Sequence, residues 1–339
     1  MIYTVLLAAR NPAVENLSIF DPVSPPAESI RTLAYLMLAI TGVIFLLVQG
    51  ILLYAIYRFR HGKPTGPDEP AQVYGSTPIE IAWTAAPTLV VFVMMLAIVR
   101  TLWEVNVDPN RPPAESQPVR VSTIGHQWWW EYKYDLPDGR SFITANELHV
   151  PASNFTTPSE RRPVYLSLQS ADVCHSWWVP RLAGKMDLIP GRTNSLWFET
   201  AQTGMYVGQC AEFCGPQHAK MLLRVYVDTP EVYAAWLANQ AKPAVDDPKV
   251  KEGRELFLTL SCVSCHRVDG TTAAGTYAPD LTHLKSRETL ASGIVPNSRE
   301  ELRRWVNDPQ KVKPGALMPA FNLSDRELDL VIDYLETLK

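Results

Sequence analysis

The sequence predicts a multidomain membrane protein in which two transmembrane helices precede a β domain and a helical domain. Three observations support this fold class: two long uncharged segments, a series of short β-type runs with turn signals, and C-terminal apolar stripes at helical spacing. Of the 339 residues, 47% are hydrophobic and 19% are charged, below the roughly 25% of average soluble chains. This composition excludes a mainly disordered chain, and the net charge of −4 argues against a nucleic-acid partner.

Residues 33–57 and 81–99 contain no charged side chain, and about 20 apolar residues cross a bilayer as a helix. Two buried core helices are the alternative, although soluble helices rarely run this long without a charge. The intervening loop carries the basic and titratable side chains Arg58, Arg60, His61 and Lys63. The positive-inside bias therefore places this loop in the cytoplasm, and it places both termini and everything after Trp103 outside.

Two features near these segments have open interpretations. The apolar run within Met1–Arg10 is too short to predict a signal peptide. Glu80 lies at the cytoplasmic edge of the second segment, where a lone carboxylate is an interfacial residue or part of a proton path.

A proline-rich stretch from Asp108 to Pro118 separates the membrane segments from a region that predicts a β-sandwich or barrel. Residues 136–139, Leu-Pro-Asp-Gly, predict a hairpin turn between two strands of this region. Thr229 before Pro230 predicts the start of a helix that ends near Gln240. The predicted strands are Val119–Ile124, Trp128–Tyr134, Ser141–Thr144, Val164–Gln169, Ser195–Glu199 and Leu222–Val227.

Residues 210–221 read Cys-Ala-Glu-Phe-Cys-Gly-Pro-Gln-His-Ala-Lys-Met and concentrate metal-binding side chains. Two thiolates, an imidazole and a thioether form a soft ligand set that favours copper over magnesium or calcium. His175, 35 residues before Cys210, is the candidate second imidazole of a two-metal site. A structural zinc site or a disulfide is the alternative, but zinc needs only four ligands and does not require Met.

The pattern C-x-E-x-C-x3-H-x2-M, with a His in the preceding segment Asp172–Trp177, closely resembles subunit 2 of haem–copper cytochrome c oxidases. The resemblance covers residues 25–240 and implies a two-helix transmembrane hairpin followed by a cupredoxin-like β-sandwich. It also implies a magnesium ion at the boundary with subunit 1, contacted by the Glu212 carboxylate. The ligands that it implies for a binuclear copper A centre are the side chains of His175, Cys210, Cys214, His218 and Met221 and the backbone carbonyl of Glu212.

Two further residues take roles from the same resemblance. Within Gly125–Trp130, Trp128 falls where the family has the tryptophan through which electrons enter. Without the copper motif nearby, this run would predict ordinary strand aromatics. Glu80 aligns with the family's carboxylate at the mouth of a proton channel in subunit 1. Cys174 is outside the family's ligand set and is predicted to be a small buried hydrophobe.

The residues from 249 to 339 predict a helical domain behind a polar linker at 242–248. Helices are expected at Glu252–Leu260 and Glu300–Val306, and a capping box at Ser324–Glu327 begins a last helix. The apolar stripe of that last helix contains Leu328, Val331, Leu335 and Leu338.

The sequence Cys-Val-Ser-Cys-His at 262–266 is the attachment motif for a covalent c-type haem. Cys262 and Cys265 are expected to join the haem, and His266 is expected to be the proximal iron ligand. A Cys-x-x-Cys pair without the His would be ambiguous with a redox or zinc site.

Met318 is the predicted sixth ligand of the haem iron, because it is the only Met after Met221 and lies on a Pro-bounded loop. His283 is the alternative sixth ligand. Over its whole length, this region resembles class I cytochrome c.

The expected order of domains resembles the fused subunit 2 of caa3-type oxidases, placed in a bacterial inner (plasma) membrane. The domains are an N-terminal extracytoplasmic segment (1–28), a transmembrane helical hairpin (29–104), a copper A domain (105–241), a linker (242–248) and an all-α cytochrome c domain (249–339).

The resemblance implies an electron-input subunit of a terminal cytochrome c oxidase. Electrons would pass from an external donor through haem c and copper A to subunit 1, which reduces dioxygen to water with proton translocation. Neither apolar segment contains a His, so oxygen reduction is assigned to subunit 1. The implied partners are subunit 1, other oxidase subunits, membrane lipid and a donor, which is cytochrome c, another periplasmic carrier or a quinol-oxidising complex. A copper A subunit of a nitric oxide reductase and an anchored two-centre electron carrier are the alternatives.

Overall fold

The computed structural model describes residues 17–60, 74–106, 108–136 and 138–339. These residues form two compact units, of which one comprises residues 28–106 and the other comprises the rest of the described chain. The predictions made for Met1–Arg10, His61, Lys63 and Pro137 lie outside the described residues.

Two long helices, α1 (Pro25–Phe59) and α2 (Thr77–Val105), contain the two uncharged segments. Each is long and apolar enough to cross a membrane, as predicted. A Pro in the first turn of α2 leaves no hydrogen bond unmade, because that turn has no intrahelical acceptor for its N–H groups. Glu80 lies in the same turn, where its carboxylate accepts a hydrogen bond from the backbone N–H of Ser76 at 3.2 Å. Its role in a proton channel stays a prediction.

The β domain has ten strands: β1 (Val119–His126), β2 (Trp129–Asp135), β3 (Ser141–Ala145), β4 (Glu147–Pro151), β5 (Val164–Ser170), β6 (His175–Trp178), β7 (Met186–Leu188), β8 (Asn194–Phe198), β9 (Gly204–Cys210) and β10 (Leu222–Asp228). They form two five-stranded sheets with the orders β3-β2-β1-β5-β8 and β4-β10-β9-β6-β7. Side chains from both sheets share one core, which includes the fully buried Trp130 and Trp177. The predicted β-sandwich is confirmed.

Six of these strands were predicted to within two residues of their observed ends. The four that were missed, β4, β6, β7 and β9, lack a clear alternation of apolar and polar residues. β4 buries all five of its side chains, including Glu147 and His149. β6 and β7 are only four and three residues long, and β9 contains two glycines.

Two local predictions in the β domain are confirmed. The chain turns between β2 and β3, which pair antiparallel, and Gly139 supplies the positive φ of +83° that this turn needs. Helix α3 (Pro230–Gln240) begins as expected, because the Thr229 side chain accepts a hydrogen bond from the backbone N–H of Val232.

The C-terminal domain contains the helices α4 (Lys251–Thr259), α5 (Cys262–Cys265), α6 (Arg299–Asn307), α7 (Pro309–Val312) and α8 (Asp325–Leu335). It also contains a pair of two-residue strands that the sequence did not predict, β11 (Thr289–Leu290) and β12 (Val295–Pro296). Ser324 and Glu327 form the predicted capping box of α8.

Helices α4 and α8 pack closely at Gly253. A Cβ atom added there would lie 2.0 Å from the carbonyl oxygen of Leu330, so the close approach requires glycine. The predicted stripe of α8 and the residues after it is buried at Leu328, Val331, Leu335 and Leu338. The helices thereby form an apolar core beside the segment that carries Cys262 and Cys265.

Candidate copper and haem sites

The metal-binding side chains of the β domain converge where strands β6 and β9 meet. His175 begins β6, Cys210 ends β9, and these two strands pair antiparallel. The remaining candidates lie in the connection from β9 to β10. His175, Cys210 and Cys214 place their donor atoms within 4.8 Å of one another, and all three side chains are buried.

The two thiols lie at the centre of the donor set. Cys210 Sγ is 3.8 Å from Cys214 Sγ and 3.9 Å from His175 Nδ1. Cys214 Sγ is in turn 3.7 Å from His218 Nδ1 and 3.9 Å from Met221 Sδ. Fold and spacing therefore bring all five predicted side-chain donors together, and both cysteines are free thiols and not a disulfide.

The imidazole of His175 is fixed through its other nitrogen. Its Nε2 lies 2.8 Å from Oδ1 of Asp172, so Nδ1 faces Cys210. Burial lowers the pKa of His175, but the hydrogen bonds to Asp172 and Cys210 raise it more, so the net pKa is above its usual value. Gly125 allows the ring this position, since a Cβ atom there would lie 2.8 Å from the His175 ring.

Two buried thiols this close do not both ionise unless a cation neutralises them. The hydrogen bond from Cys214 lowers the pKa of Cys210, whereas the hydrogen bond to Cys210 and burial raise the pKa of Cys214. Bound metal would deprotonate both. The carbonyl oxygen of Glu212 adds a further donor 3.2 Å from Cys210 Sγ. This donor set, rich in sulfur and imidazole and larger than four, fits a pair of copper ions better than one zinc ion.

Trp128 contacts the cysteine-bearing loop directly. Its indole Nε1 donates a hydrogen bond to the carbonyl oxygen of Cys214 at 2.9 Å, and the side chain of Gln127 donates to the same oxygen at 2.8 Å. The tryptophan is buried, with 8% of its surface exposed. It therefore packs against the loop that carries Cys214.

A cavity of about 300 Å³ is lined by all four residues predicted to hold haem: Cys262, Cys265, His266 and Met318. Helix α4 ends three residues before Cys262, so α5 presents both cysteines to this cavity. His266 Nδ1 lies 2.7 Å from the carbonyl oxygen of Pro279, which leaves Nε2 as the atom available for iron.

Arg287 gives an independent test of whether haem fits. Its guanidinium lines the cavity, is buried, and has an Nε without a hydrogen-bond partner among the described residues. Burial lowers the pKa of Arg287, and the nearby carboxylates of Asp280 and Glu147 only partly oppose this shift. The carboxylates of a haem would supply the missing acceptor, so the cavity fits that group. Sequence reasoning missed this residue, because a lone Arg belongs to no motif.

Two expectations from the sequence need correction. His283 does not line the haem cavity, and its ring nitrogens lie 2.7 Å and 2.9 Å from the carbonyl oxygens of Lys339 and Lys242. It is therefore a structural residue and an unsuitable alternative to Met318. Cys174 is exposed and not a buried hydrophobe, because it precedes β6, whose first residue His175 points into the protein.

The haem cavity is not confined to the C-terminal domain. Part of its wall comes from Gln127, Trp128, Trp129 and Asn146 of the β domain. Trp128 thus contacts the copper-site loop and also faces the haem cavity. This juxtaposition depends on how two domains dock, and no spacing in the sequence could have shown it.

Comparisons with known proteins agree with this architecture. The model for the cytochrome c oxidase subunit II transmembrane domain matches residues 12–100, that for the subunit II periplasmic domain matches 119–227, and that for cytochrome c matches 250–339. Cytochrome c oxidase subunit 2 of Alkalihalophilus pseudofirmus is 34% identical over 331 residues, covering 96% of this chain and 92% of the relative.

The chain belongs to the cytochrome c oxidase subunit 2 family.

Cytochrome c oxidase subunit 2 of Bacillus sp. strain PS3 is 35% identical over 83% of this chain and 80% of the relative. The solved periplasmic domain of subunit II of cytochrome oxidase from Bradyrhizobium japonicum is 31% identical and covers 36% of this chain and 92% of its own, with a TM-score of 0.32. Subunit 2 is part of a haem–copper terminal oxidase, so its partners include subunit 1. Membership of the family implies copper A in the β domain and haem c in the C-terminal domain.

Proposed function

We propose that this chain receives electrons from an external donor at haem c and passes them through copper A to subunit 1, where dioxygen is reduced to water with proton translocation. The observation that supports this order most strongly is the position of Trp128. Its indole donates a hydrogen bond to Cys214 at the copper site, and the same residue lines the haem cavity. The side chain of Gln127 donates to the same carbonyl, and Gln127 also lines the cavity, so these two neighbouring residues lie between the candidate centres.

The proposed copper A ligands are the five converging side chains and one carbonyl: His175, Cys210, Cys214, His218, Met221 and the carbonyl of Glu212. Proposed haem residues are Cys262, Cys265, His266 and Met318. When bound, each centre accepts and releases one electron at a time. The protein's own contribution is to hold the donor atoms in place and to exclude water from them. The burial of Cys210, Cys214 and Met221, with 3% of their surface or less exposed, serves this purpose.

Two carboxylates complete the proposal. The side chain of Glu212 is exposed, while its carbonyl faces Cys210. That orientation supports a role for the carboxylate in binding magnesium at the boundary with subunit 1. Glu80, in the first turn of α2, is proposed to lie at the mouth of a proton channel of subunit 1.

The proposed location is a bacterial inner membrane crossed twice, with both termini outside the cytoplasm. In support, residues that immediately precede α1 hydrogen-bond to the β domain, through Ser24 to Glu199 and through Val23 to Arg181. These bonds support a topology in which the first span begins on the side of the membrane where the β domain is proposed to lie. The external donor is proposed to be cytochrome c, another periplasmic carrier or a quinol-oxidising complex.

The test is to purify the complex from native membranes and to measure its consumption of dioxygen and of nitric oxide with a reduced donor. The proposal expects the chain to copurify with a haem–copper subunit 1 and to support dioxygen consumption. Nitric oxide consumption without dioxygen consumption would instead identify a nitric oxide reductase. A chain that purifies without any catalytic partner would identify an anchored electron carrier.

A further inference from the structure

We propose that Glu147 and Lys313 are positioning residues that dock the cytochrome domain on the copper domain and thereby keep Trp128 in the wall of the haem cavity. The inference rests on the proposed transfer of electrons from haem c to copper A. It adds the residues that hold the two domains in the arrangement this transfer needs, on a surface that no ligand motif identifies.

Glu147 is the contact residue of the copper domain. It begins β4 and has only 2% of its surface exposed. The partners of its carboxylate come from the cytochrome domain. Oε2 accepts from the backbone N–H of Glu288 at 3.0 Å, and Oε1 accepts from the N–H and hydroxyl of Thr289 at 2.9 Å and 2.6 Å. Charge-assisted bonds to a buried carboxylate are among the stronger hydrogen bonds in proteins, and leaving such a carboxylate without partners is costly.

Lys313 is the contact residue of the cytochrome domain. It directly follows α7 and has 3% of its surface exposed. Its ammonium donates to the carbonyl oxygen of Trp128 at 2.7 Å and to the hydroxyl of Ser292 at 3.1 Å. Ser292 donates in turn to the same Trp128 carbonyl at 2.6 Å. Two donors from the cytochrome domain therefore bind the backbone of the tryptophan whose indole bonds to Cys214.

The strand pair β11–β12 explains why these contacts exist. Thr289 lies in β11 and Ser292 in the turn that follows, so one short segment carries partners of both positioning residues. Gly293 in this turn has a φ of +83°, which favours glycine, and a Cβ atom there would lie 3.2 Å from the Cβ atom of Leu222 in β10. The segment is therefore in close contact with the copper domain.

The arrangement matters for electron transfer because tunnelling through protein falls steeply with distance. Trp128, Ser292 and Lys313 all line the haem cavity. Loosening the docked arrangement would therefore move Trp128 relative to the haem, while the ligand sets of both centres would stay intact. Substitution of a docking residue should consequently change the rate of electron transfer without changing the spectra or midpoint potentials of the two centres.

The experiment uses the assembled oxidase with the full-length chain carrying Glu147→Gln, Lys313→Met or both. Rapid photoreduction of haem c starts the reaction, and the near-infrared band of copper A reports its reduction. We expect the transfer rate to fall about tenfold for each single substitution, the factor by which losing one charge-assisted hydrogen bond changes a docking equilibrium. The double variant should be slower than either, and the spectra and midpoint potentials of both centres should be unchanged.

Matched controls separate docking from a general effect of charge. Lys311 lies two residues from Lys313 but is exposed and pairs only with Asp308 at 3.5 Å, so Lys311→Met should leave the rate unchanged. Glu231 in α3 is exposed, so Glu231→Gln is the control for Glu147. If a main variant fails to assemble, Ser292→Ala removes one donor to the Trp128 carbonyl with little change in volume, and it should also slow the transfer.

The outcomes distinguish the two proposals. A wild-type oxidase in which reduced haem c never reduces copper A would overturn the proposed function. Suppose that the wild type transfers electrons and that every docking variant carrying both centres does so within twofold of the wild-type rate. That result would overturn the positioning roles alone. A rate loss accompanied by shifted potentials would also overturn them, because it would place the effect at the ligands.

Discussion

The copper site and the haem site of this chain are built in opposite ways. At the copper site, three donor side chains already lie within 4.8 Å of one another, held by two paired strands and one loop. At the haem site, the proposed proximal ligand His266 and the proposed distal ligand Met318 are 52 residues apart in sequence and line an open cavity. Metal ions need a cage of preorganised atoms, whereas a porphyrin needs an apolar volume with ligands at its edges.

The two sites nevertheless fix their imidazoles by the same device. The ring nitrogen that does not face the centre is hydrogen-bonded, to the Asp172 carboxylate for His175 and to the Pro279 carbonyl for His266. This selects which nitrogen is free to bind the metal. At the copper site the partner is a side chain that a substitution can remove, while at the haem site it is backbone.

The largest effect should come from removing a thiol at either site. Cys214→Ser should abolish the near-infrared and multiline spin-resonance signals of delocalised copper and leave the haem c spectrum intact, because the sites share no ligand. Cys262→Ser combined with Cys265→Ser should do the reverse. Absorbance and spin resonance of the purified chain measure both signals. Loss of both centres from either variant would show that the sites do not form independently.

Substitution of the distal haem ligand should have the next largest effect. Met318→His should lower the haem c midpoint potential by at least about 0.1 V, within the roughly 0.8 V range that axial ligands span. His283→Asn should leave the potential unchanged, because that ring contacts backbone carbonyls away from the cavity. Redox titration of the haem band measures both. An unchanged potential in Met318→His would remove Met318 from the ligand set.

A smaller effect is expected from substitution of Asp172, the carboxylate that orients the His175 ring. Asp172→Asn should weaken copper binding by about 10- to 100-fold, since loss of such supporting hydrogen bonds has this cost at other metal sites. Asp187→Asn is the control, because Asp187 is exposed on the neighbouring strand β7. Competition with a copper chelator measures the affinity. Equal retention of copper by both variants would contradict the role of Asp172.

The smallest effect concerns pH and the docked interface. Burial lowers the pKa of Lys313 to about 7, while the nearby Cys214 raises it and Lys220 lowers it further. At this side chain, the unfolded chain therefore binds more protons than the native chain from pH 7 to about 10.5. The contribution of Lys313 to the free energy of unfolding consequently increases as the pH rises through that window. The free energy of unfolding of wild type minus that of Lys313→Met should rise by at most about 1.4 kcal/mol per pH unit above pH 7.

Denaturant titrations between pH 6 and pH 9 measure this difference. The exposed control Lys311→Met should show no such trend relative to wild type. A difference between wild type and Lys313→Met that stays flat with pH would show that Lys313 keeps its proton in the docked state.

Most of the proposed ligands could be inferred from the sequence because they are concentrated in two short motifs, although His175 and Met318 lie outside these motifs. Residues 210–221 and 262–266 state the donor types and their spacing directly, and Met318 followed from being the only Met in its domain. Arg287, Glu147 and Lys313 could not be found this way. Each matters because of a partner brought close by the docking of two domains, and an isolated charged residue carries no periodic or motif signal.

The strands that were missed have a related cause. In β4, Glu147 and His149 are polar residues inside a fully buried strand, so the hydrophobic pattern is broken where the interface needs a carboxylate. In β6, the first residue is the proposed copper ligand His175, a polar residue that is fully buried. Cys174 was wrongly predicted to be buried. The direction of its side chain depends on where β6 begins, and β6 was one of the strands that were not predicted.

The central claim is that electrons pass from haem c to copper A within this chain. The most direct test is a time-resolved measurement on the assembled oxidase, in which haem c is reduced selectively and the haem c and copper A bands are followed together. The account predicts that haem c is reoxidised with the same rate constant as copper A is reduced, and that this rate is independent of protein concentration. Reduction of copper A by the external donor while haem c stays oxidised, or a rate proportional to protein concentration, would contradict it.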